Sequence, residues 1–142
     1  MKKFKKWIRK KYVIWKYEHN WNTNKLVVLK EEDRQYGLTL MLIKECVLNN
    51  YVLFVPDTEI KKYIAHEAYI YGQLGLMPAV TEEELYGRYL MCKTDILNNK
   101  LRGKRNIEVL VDNSCTYKDV LYLYYECSVR IVNGFVCIDM AA

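Results

Sequence analysis

The sequence predicts an α/β protein with an open, mainly parallel sheet of about five strands, flanked by helices on both faces. From residue 25 onward, short apolar runs alternate with segments whose apolar residues recur at helical spacing. The runs at 26–29, 51–55 and 107–111 are apolar over nearly their whole length, as expected of strands buried on both faces. The chain of 142 residues is 51% hydrophobic with two prolines, so we expect one packed domain.

Residues 1–22 are predicted to form a basic amphipathic N-terminal helix, followed by a single α/β domain over residues 23–142. Apolar residues recur at helical spacing between residues 3 and 18, and lysines fill the other face. Residues 1–20 hold eight Lys or Arg and one acid, Glu18, whereas the formal charge of the whole chain is +5. The basic character therefore belongs to this segment, and the rest of the chain is slightly acidic.

The first half of the domain is predicted to contain two strands and two helices. In order, these segments are a strand at 26–29, a polar loop at 31–37, a helix at 39–49 and a strand at 51–55. Pro56 ends the second strand, because proline cannot donate a hydrogen bond to a sheet. Asp57 or Thr58 can then cap a second helix, and Gly72 is a good terminator for it.

The second half is predicted with two alternatives left open. Its segments are a short strand at 77–80, a helix from 82 to about 91, a polar stretch at 93–106, a strand at 107–111, a helix at 116–126 and a strand region at 129–138. Thr81 and Glu84 form a capping box for the first of these helices. Segment 116–126 is also a good strand run. Asn133-Gly134 either turns a terminal hairpin or precedes the entry into a strand.

The order of these elements, together with two short motifs, resembles a degenerate P-loop NTPase core. Gly37 and Thr39 stand where the phosphate-loop motif has its second Gly and its Ser or Thr. The strand at 107–111, ending in Asp112, is similar to a Walker B strand. The resemblance implies a P-loop NTPase-like or Rossmann-like fold in which any retained nucleotide is bound by Gly37, Thr39 and Asp112.

The phosphate-loop motif is incomplete. Glu32 stands at its first Gly and Leu38 at its Lys, and Glu31 and Asp33 add further carboxylates where a triphosphate would lie. Like charges about 4 Å apart cost about 4 kcal/mol in partly screened surroundings. We therefore expect neither a Mg-nucleotide cofactor nor a catalytic residue, and an atypical nucleotide-binding enzyme is the alternative.

Other catalytic or metal centres are not indicated. Five cysteines without CxxC spacing argue against a zinc site or a disulfide framework and favour a cytoplasmic protein, as does the lack of a long apolar run. His66-Glu67 begins an HExxH-like string, but Ile70 stands where the second His is needed. Cys115 follows Asp112 closely without an identifiable base.

Ten basic residues in two patches are candidates for binding a polyanion. They are Lys2, Lys3, Lys5, Lys6, Arg9, Lys10, Lys11, Arg102, Lys104 and Arg105. Aromatic residues among the N-terminal lysines favour nucleic acid. The apolar face would also suit an anionic membrane surface, the less favoured partner, and packing on the sheet is an equally good explanation.

Five aromatic residues are candidates for an interface with a partner protein, which could be a second copy of this chain. They are Trp7, Trp15, Tyr122, Tyr124 and Tyr125, and the three tyrosines cannot all face inward. We predict a non-catalytic binding protein on a decayed P-loop-like scaffold, which binds nucleic acid or inhibits a host nucleoprotein or defence enzyme. Abundant Lys, Asn, Tyr and Ile suggest a phage or mobile-element source and hence the host cytoplasm. A structural oligomer component is a further alternative.

Overall fold

The computed structural model of the chain describes residues 2–23, 25–30, 32–33, 36–97, 107–127 and 129–137. Within these residues there are five strands: β1 (Val27–Leu29), β2 (Val52–Phe54), β3 (Leu90–Met91), β4 (Ile107–Val111) and β5 (Val129–Cys137). They form one sheet in the order β1-β5-β4-β2-β3, and each pairing between them is parallel. The predicted α/β class with a parallel, helix-flanked sheet is thereby confirmed.

Helices cover both faces of this sheet. Those in the described residues are α1 (Lys2–His19), α2 (Leu38–Asn49), α3 (Thr58–Gln73), α4 (Glu82–Glu84), α5 (Lys93–Leu97) and α6 (Tyr117–Glu126), and a π-helical turn (Leu85–Tyr89) follows α4. Leu53 of β2 belongs to the core beneath α1, α2 and α3. Its neighbour Phe54 packs with Leu123 of α6 on the opposite face. Both faces of β2 are buried, which explains why its sequence is apolar without alternation.

The strand order creates a crevice at one edge of the sheet. The connections through α2 and α3 run in one direction across the sheet, and the connections through α5 and α6 return in the other. Right-handed crossovers therefore place α2 and α3 on one face and α6 on the other. The neighbouring strands β2 and β4 send their chains to opposite faces, and ligands of open α/β sheets bind at such a point.

Three assignments from the second half of the sequence are wrong. Residues 78–80 are not a strand, and the third strand is Leu90–Met91, inside the predicted helix. The helical turn ends at Tyr89, and the buried pair Leu90–Met91 then aligns with Leu53 and Phe54 of β2. The polar stretch also contains helix α5, where the Asp95 carboxylate accepts a hydrogen bond from the backbone N–H of Cys92 at 2.9 Å.

The two open alternatives are decided by capping and by a bulge. Segment 117–126 is helix α6, because Thr116 and Asp119 form a reciprocal capping box at its start. Asn133 and Gly134 form neither a hairpin turn nor the entry to a strand, since β5 runs straight through both. The register between β4 and β5 shifts just before this pair, because Ile131 pairs with Val109 and Asn133 with Leu110, which leaves Val132 as the extra residue of a β-bulge. Asn133 and Gly134 then continue the strand, with a φ of 142° at Gly134.

Helix α1 packs against the sheet through one side of its carboxyl-terminal half. Val13 and Tyr17 are buried, and the Tyr17 ring stacks on Phe135 of β5 with centroids 5.1 Å apart. The Asn133 side-chain amide donates a hydrogen bond of 2.7 Å to the Tyr17 carbonyl. Neither α1 nor another helix in the described ranges has the length and apolarity to cross a bilayer.

Candidate functional site

The amino end of α2 meets the carboxyl ends of the central strands, and three predicted site residues come together there. Gly37 precedes α2 with a φ of 71°, a left-handed conformation that glycine adopts without strain. Thr39 lies in the first turn of α2, and Asp112 directly follows β4. The Thr39 Oγ1 atom lies 2.8 Å from Asp112 Oδ1 and 2.9 Å from Asn113 Oδ1.

Asp112 is buried in the middle of a polar network. Its side chain accepts hydrogen bonds from Thr39 Oγ1, from the backbone N–H of Ser114 at 3.2 Å and from Ser114 Oγ. Its backbone N–H donates to the Phe54 carbonyl of β2 at 3.0 Å. Burial raises the pKa of Asp112, and the hydrogen bonds from Ser114 and Thr39 offset this only in part.

Proton counting shows that protonation of Asp112 closes this network. Thr39 has one hydroxyl proton, but two oxygen acceptors lie within hydrogen-bond distance of it. When Asp112 is protonated, its carboxyl group can donate to Thr39 Oγ1, and Thr39 can then donate to Asn113 Oδ1. Ser114 still donates to the other Asp112 oxygen. The raised pKa of Asp112 agrees with this arrangement.

Asp112→Asn is expected to raise the free energy of unfolding at neutral and alkaline pH. The folded-state pKa is raised, so the cost of the buried charge is fully present above that pKa and disappears below the unfolded-state pKa. The cost is about 1.4 kcal/mol for each pH unit between the two pKa values. Urea unfolding at several pH values should give a smaller loss of stability with rising pH for the variant.

Asp112→Ala is the control for this substitution. It removes the acceptor from Ser114 and leaves buried polar groups unpaired, at a cost of about 1–3 kcal/mol. If Asp112→Asn destabilises the protein as much as Asp112→Ala does above neutral pH, the protonated network is wrong.

The neighbouring loop carries less free negative charge than the sequence predicts. The buried Asp33 faces α1, where Arg9 Nε lies 3.1 Å from its Oδ1 and Arg9 Nη2 lies 2.9 Å from its Oδ2. Burial opposes ionisation of Asp33, but the hydrogen bonds from Arg9 and from the Lys30 backbone outweigh it and lower the pKa. Asp33, one of the carboxylates expected beside a phosphate, is therefore neutralised by Arg9. Leu38, at the Lys position of the motif, is buried in the core.

The second candidate site is the outer face of α1, which we call the aromatic stripe. It comprises Phe4, Trp7, Ile8, Tyr12 and Trp15, which are 45–60% exposed. Lys11 Nζ lies 5.6 Å from the Trp7 ring centroid, and Arg9 and Lys16 lie 5.4 and 5.8 Å from that of Tyr12. Lys3, Lys5, Lys6 and Lys10 are also exposed. The side chain of Lys2, and Arg102, Lys104 and Arg105, lie outside the described residues.

The predicted tyrosine interface is only partly exposed. Tyr124 and Tyr125 are exposed on α6, whereas Tyr122 is half-buried with Lys93 Nζ 4.5 Å from its ring centroid. Sequence reasoning missed Ser114 as a member of the Asp112 network. The signal was present, because an uninterrupted polar run follows an apolar strand there.

Fold and sites together define a parallel α/β protein with a buried carboxyl network at the carboxyl edge of its sheet and an exposed cationic and aromatic helix. Comparison with protein-family models, curated proteins and solved structures finds no match. In the described part of the chain, no three His, Cys, Asp or Glu side chains lie close enough to hold a metal ion. The functional argument therefore depends on the chemistry of the two sites.

Proposed function

We propose that this protein is a non-catalytic binding protein that holds a polyanionic partner on helix α1. The exposure of the aromatic stripe carries the proposal: Trp7 is 56% and Trp15 is 54% exposed. A helix that served only to cover the sheet would turn these rings inward, because burying an aromatic side chain is strongly favourable. Instead Val13 and Tyr17 occupy the buried side. A large exposed apolar patch on a helix is typical of an interaction surface.

The charge of α1 supports a partner rich in phosphate or sulfate. Residues 1–20 carry eight basic residues and one acidic residue. Concentrated Lys and Arg attract polyanions by releasing the condensed counterions of the polymer. Nucleic acid, the partner expected from the sequence, and an anionic lipid surface share this chemistry.

The network around Asp112 supports the non-catalytic part of the proposal. Thr39 and Asp112, the residues that would hold a metal-bound nucleotide on a P-loop-like scaffold, bond to each other, and Leu38 replaces the lysine with a buried side chain. This arrangement suits a decayed P-loop-like scaffold that has kept its fold and has lost its phosphate chemistry.

Replacing Lys3, Lys5, Lys6 and Lys10 with glutamine is expected to move elution from a heparin column to markedly lower salt. These side chains are exposed, so the fold should be unaffected, and the loss of four contacts should weaken binding and flatten its salt dependence. Elution salt and circular dichroism of the full chain are the measurements.

A matched variant replaces four exposed lysines outside α1 with glutamine: Lys25, Lys44, Lys62 and Lys118. It removes the same number of positive charges as the α1 variant, so an effect of net charge alone would change the elution of both variants equally. Equal elution of the two variants would exclude α1 as the polyanion site, and so would failure of the unaltered chain to bind.

A further inference from the structure

We infer, resting on the proposed function, that the polyanion is the surface of an anionic lipid bilayer and that the aromatic stripe inserts into it. The helix then lies in the plane of the interface, with its rings among the lipid headgroups and acyl chains and its lysines at the phosphates.

The arrangement of charges around α1 favours a bilayer over a nucleic acid. At 100° per residue, Lys3 and Lys10 border the aromatic stripe on one side, and Lys5 and Lys16 border it on the other, whereas Lys6 falls on the opposite side of the helix. A site for single-stranded nucleic acid needs cations and aromatic rings side by side along one groove. Here the apolar and aromatic side chains form one continuous exposed stripe, and a flanking lysine such as Lys16 reaches over its edge, as in helices that lie at a membrane interface.

Two charged residues among the described side chains of α1 fall within the stripe by helical spacing: Lys11 and, near the end of the helix, the exposed Glu18. The Nζ atom of Lys11 lies over the Trp7 ring at 5.6 Å. A lysine with a long aliphatic stem can extend past a ring and keep its ammonium group at the headgroup level. Lys11 is therefore compatible with an inserted stripe.

The attachment of α1 to the body leaves the stripe free to reach a membrane. Val13 and Tyr17 are buried on the side opposite the stripe, and Asn133 bonds the Tyr17 carbonyl at 2.7 Å. Arg9 is held by Asp33 at the same side of the helix. Insertion therefore needs no detachment of α1 and no exposure of the core.

The chain also provides two signals of the kind that interfacial attachment requires. Aromatic side chains supply the apolar contact, since tryptophan prefers the boundary between headgroups and acyl chains. Lysines on both flanks supply attraction to anionic headgroups, which screening weakens at high salt. Both contributions add to the binding strength of a helix that lies at a membrane interface.

The test is binding of the full chain to vesicles of phosphatidylcholine with about one-third phosphatidylserine, compared with vesicles of phosphatidylcholine alone. We expect binding to the anionic vesicles and a shift of tryptophan emission to shorter wavelength. Replacing both Trp7 and Trp15 with alanine is expected to weaken vesicle binding about ten-fold or more, with elution from heparin unchanged. A control variant replaces Tyr124 and Tyr125, exposed on α6, with alanine and should bind vesicles normally.

The outcomes separate this inference from the proposed function. Binding to heparin without binding to anionic vesicles overturns the bilayer as partner and leaves the polyanion site standing. Tight binding of a double-stranded or single-stranded oligonucleotide by a chain that does not bind vesicles makes nucleic acid the partner. Vesicle binding that is unaffected by the two tryptophan substitutions overturns the insertion of the stripe. Failure to bind heparin counts against the proposed function itself.

Discussion

Replacing Gly134 with alanine is expected to lower the free energy of unfolding by about 4 kcal/mol, the sum of backbone strain and overpacking. A Cβ atom at this position would lie 2.5 Å from both the backbone N and the carbonyl O of Val111. The φ of 142° is also one that side chains other than glycine rarely adopt. Since β4 and β5 form the centre of the sheet, neither strand can move away cheaply. Thermal unfolding should show a melting temperature about 10 °C lower or more.

Gly87→Ala is the matched control for this prediction. Nothing lies within 4 Å of a Cβ atom at Gly87. Alanine there should leave stability unchanged or raise it by about 0.5 kcal/mol. If Gly134→Ala melts within about 2 °C of the unaltered protein, the close approach of β5 to Val111 is wrong.

Replacing Asp95 with asparagine is expected to lower the free energy of unfolding by about 3 kcal/mol, because it leaves a buried ammonium without its carboxylate. The Lys61 side chain is 1% exposed, and its Nζ lies 2.8 Å from Asp95 Oδ2. The same ammonium lies 3.9 Å from the centroid of the Tyr86 ring. The pair connects α3 to the chain segment between β3 and β4. Urea unfolding at neutral pH measures the loss.

Two further variants show whether the loss comes from the buried charge. Adding Lys61→Met to Asp95→Asn removes the uncompensated ammonium and should restore most of the stability. Glu108→Gln breaks an exposed ion pair with Arg130, 3.5 Å long, and should cost less than about 1 kcal/mol. A double variant no more stable than Asp95→Asn alone would show that the hydrogen bonds of Asp95, not its charge, hold this region.

Most of the secondary structure follows from local patterns. Strand β2 lies within the predicted run at 51–55, and α3 begins at Thr58 after the Asp57 cap, as predicted. In both cases the signal is contained in a few consecutive residues. Strand β3 has no such signal, because two residues cannot show a period. Only its pairing with β2 makes Leu90–Met91 a strand.

The candidate sites depend on contacts between residues that are far apart in the sequence. Gly37, Thr39 and Asp112 were predicted together only through a family resemblance, and the structure places Thr39 against a residue 73 positions away. Pairing with β4 also decides that Asn133-Gly134 lies inside a strand, directly after the bulge at Val132. That dipeptide has the local preference of a hairpin turn, but the buried bond from Asn133 to the Tyr17 carbonyl and the pairing with β4 outweigh it.

The α/β class and the concentration of positive charge in residues 1–20 follow from the amino-acid sequence alone. Both depend on composition and on periods of a few residues, which tertiary contacts do not alter. Tertiary contacts, in contrast, are needed to establish which side of α1 is buried and that Arg9 neutralises the Asp33 carboxylate. Helical spacing shows two faces but does not show which of them meets the sheet. That depends on where β5 lies, and on the contact of Tyr17 with Phe135 from the far end of the chain.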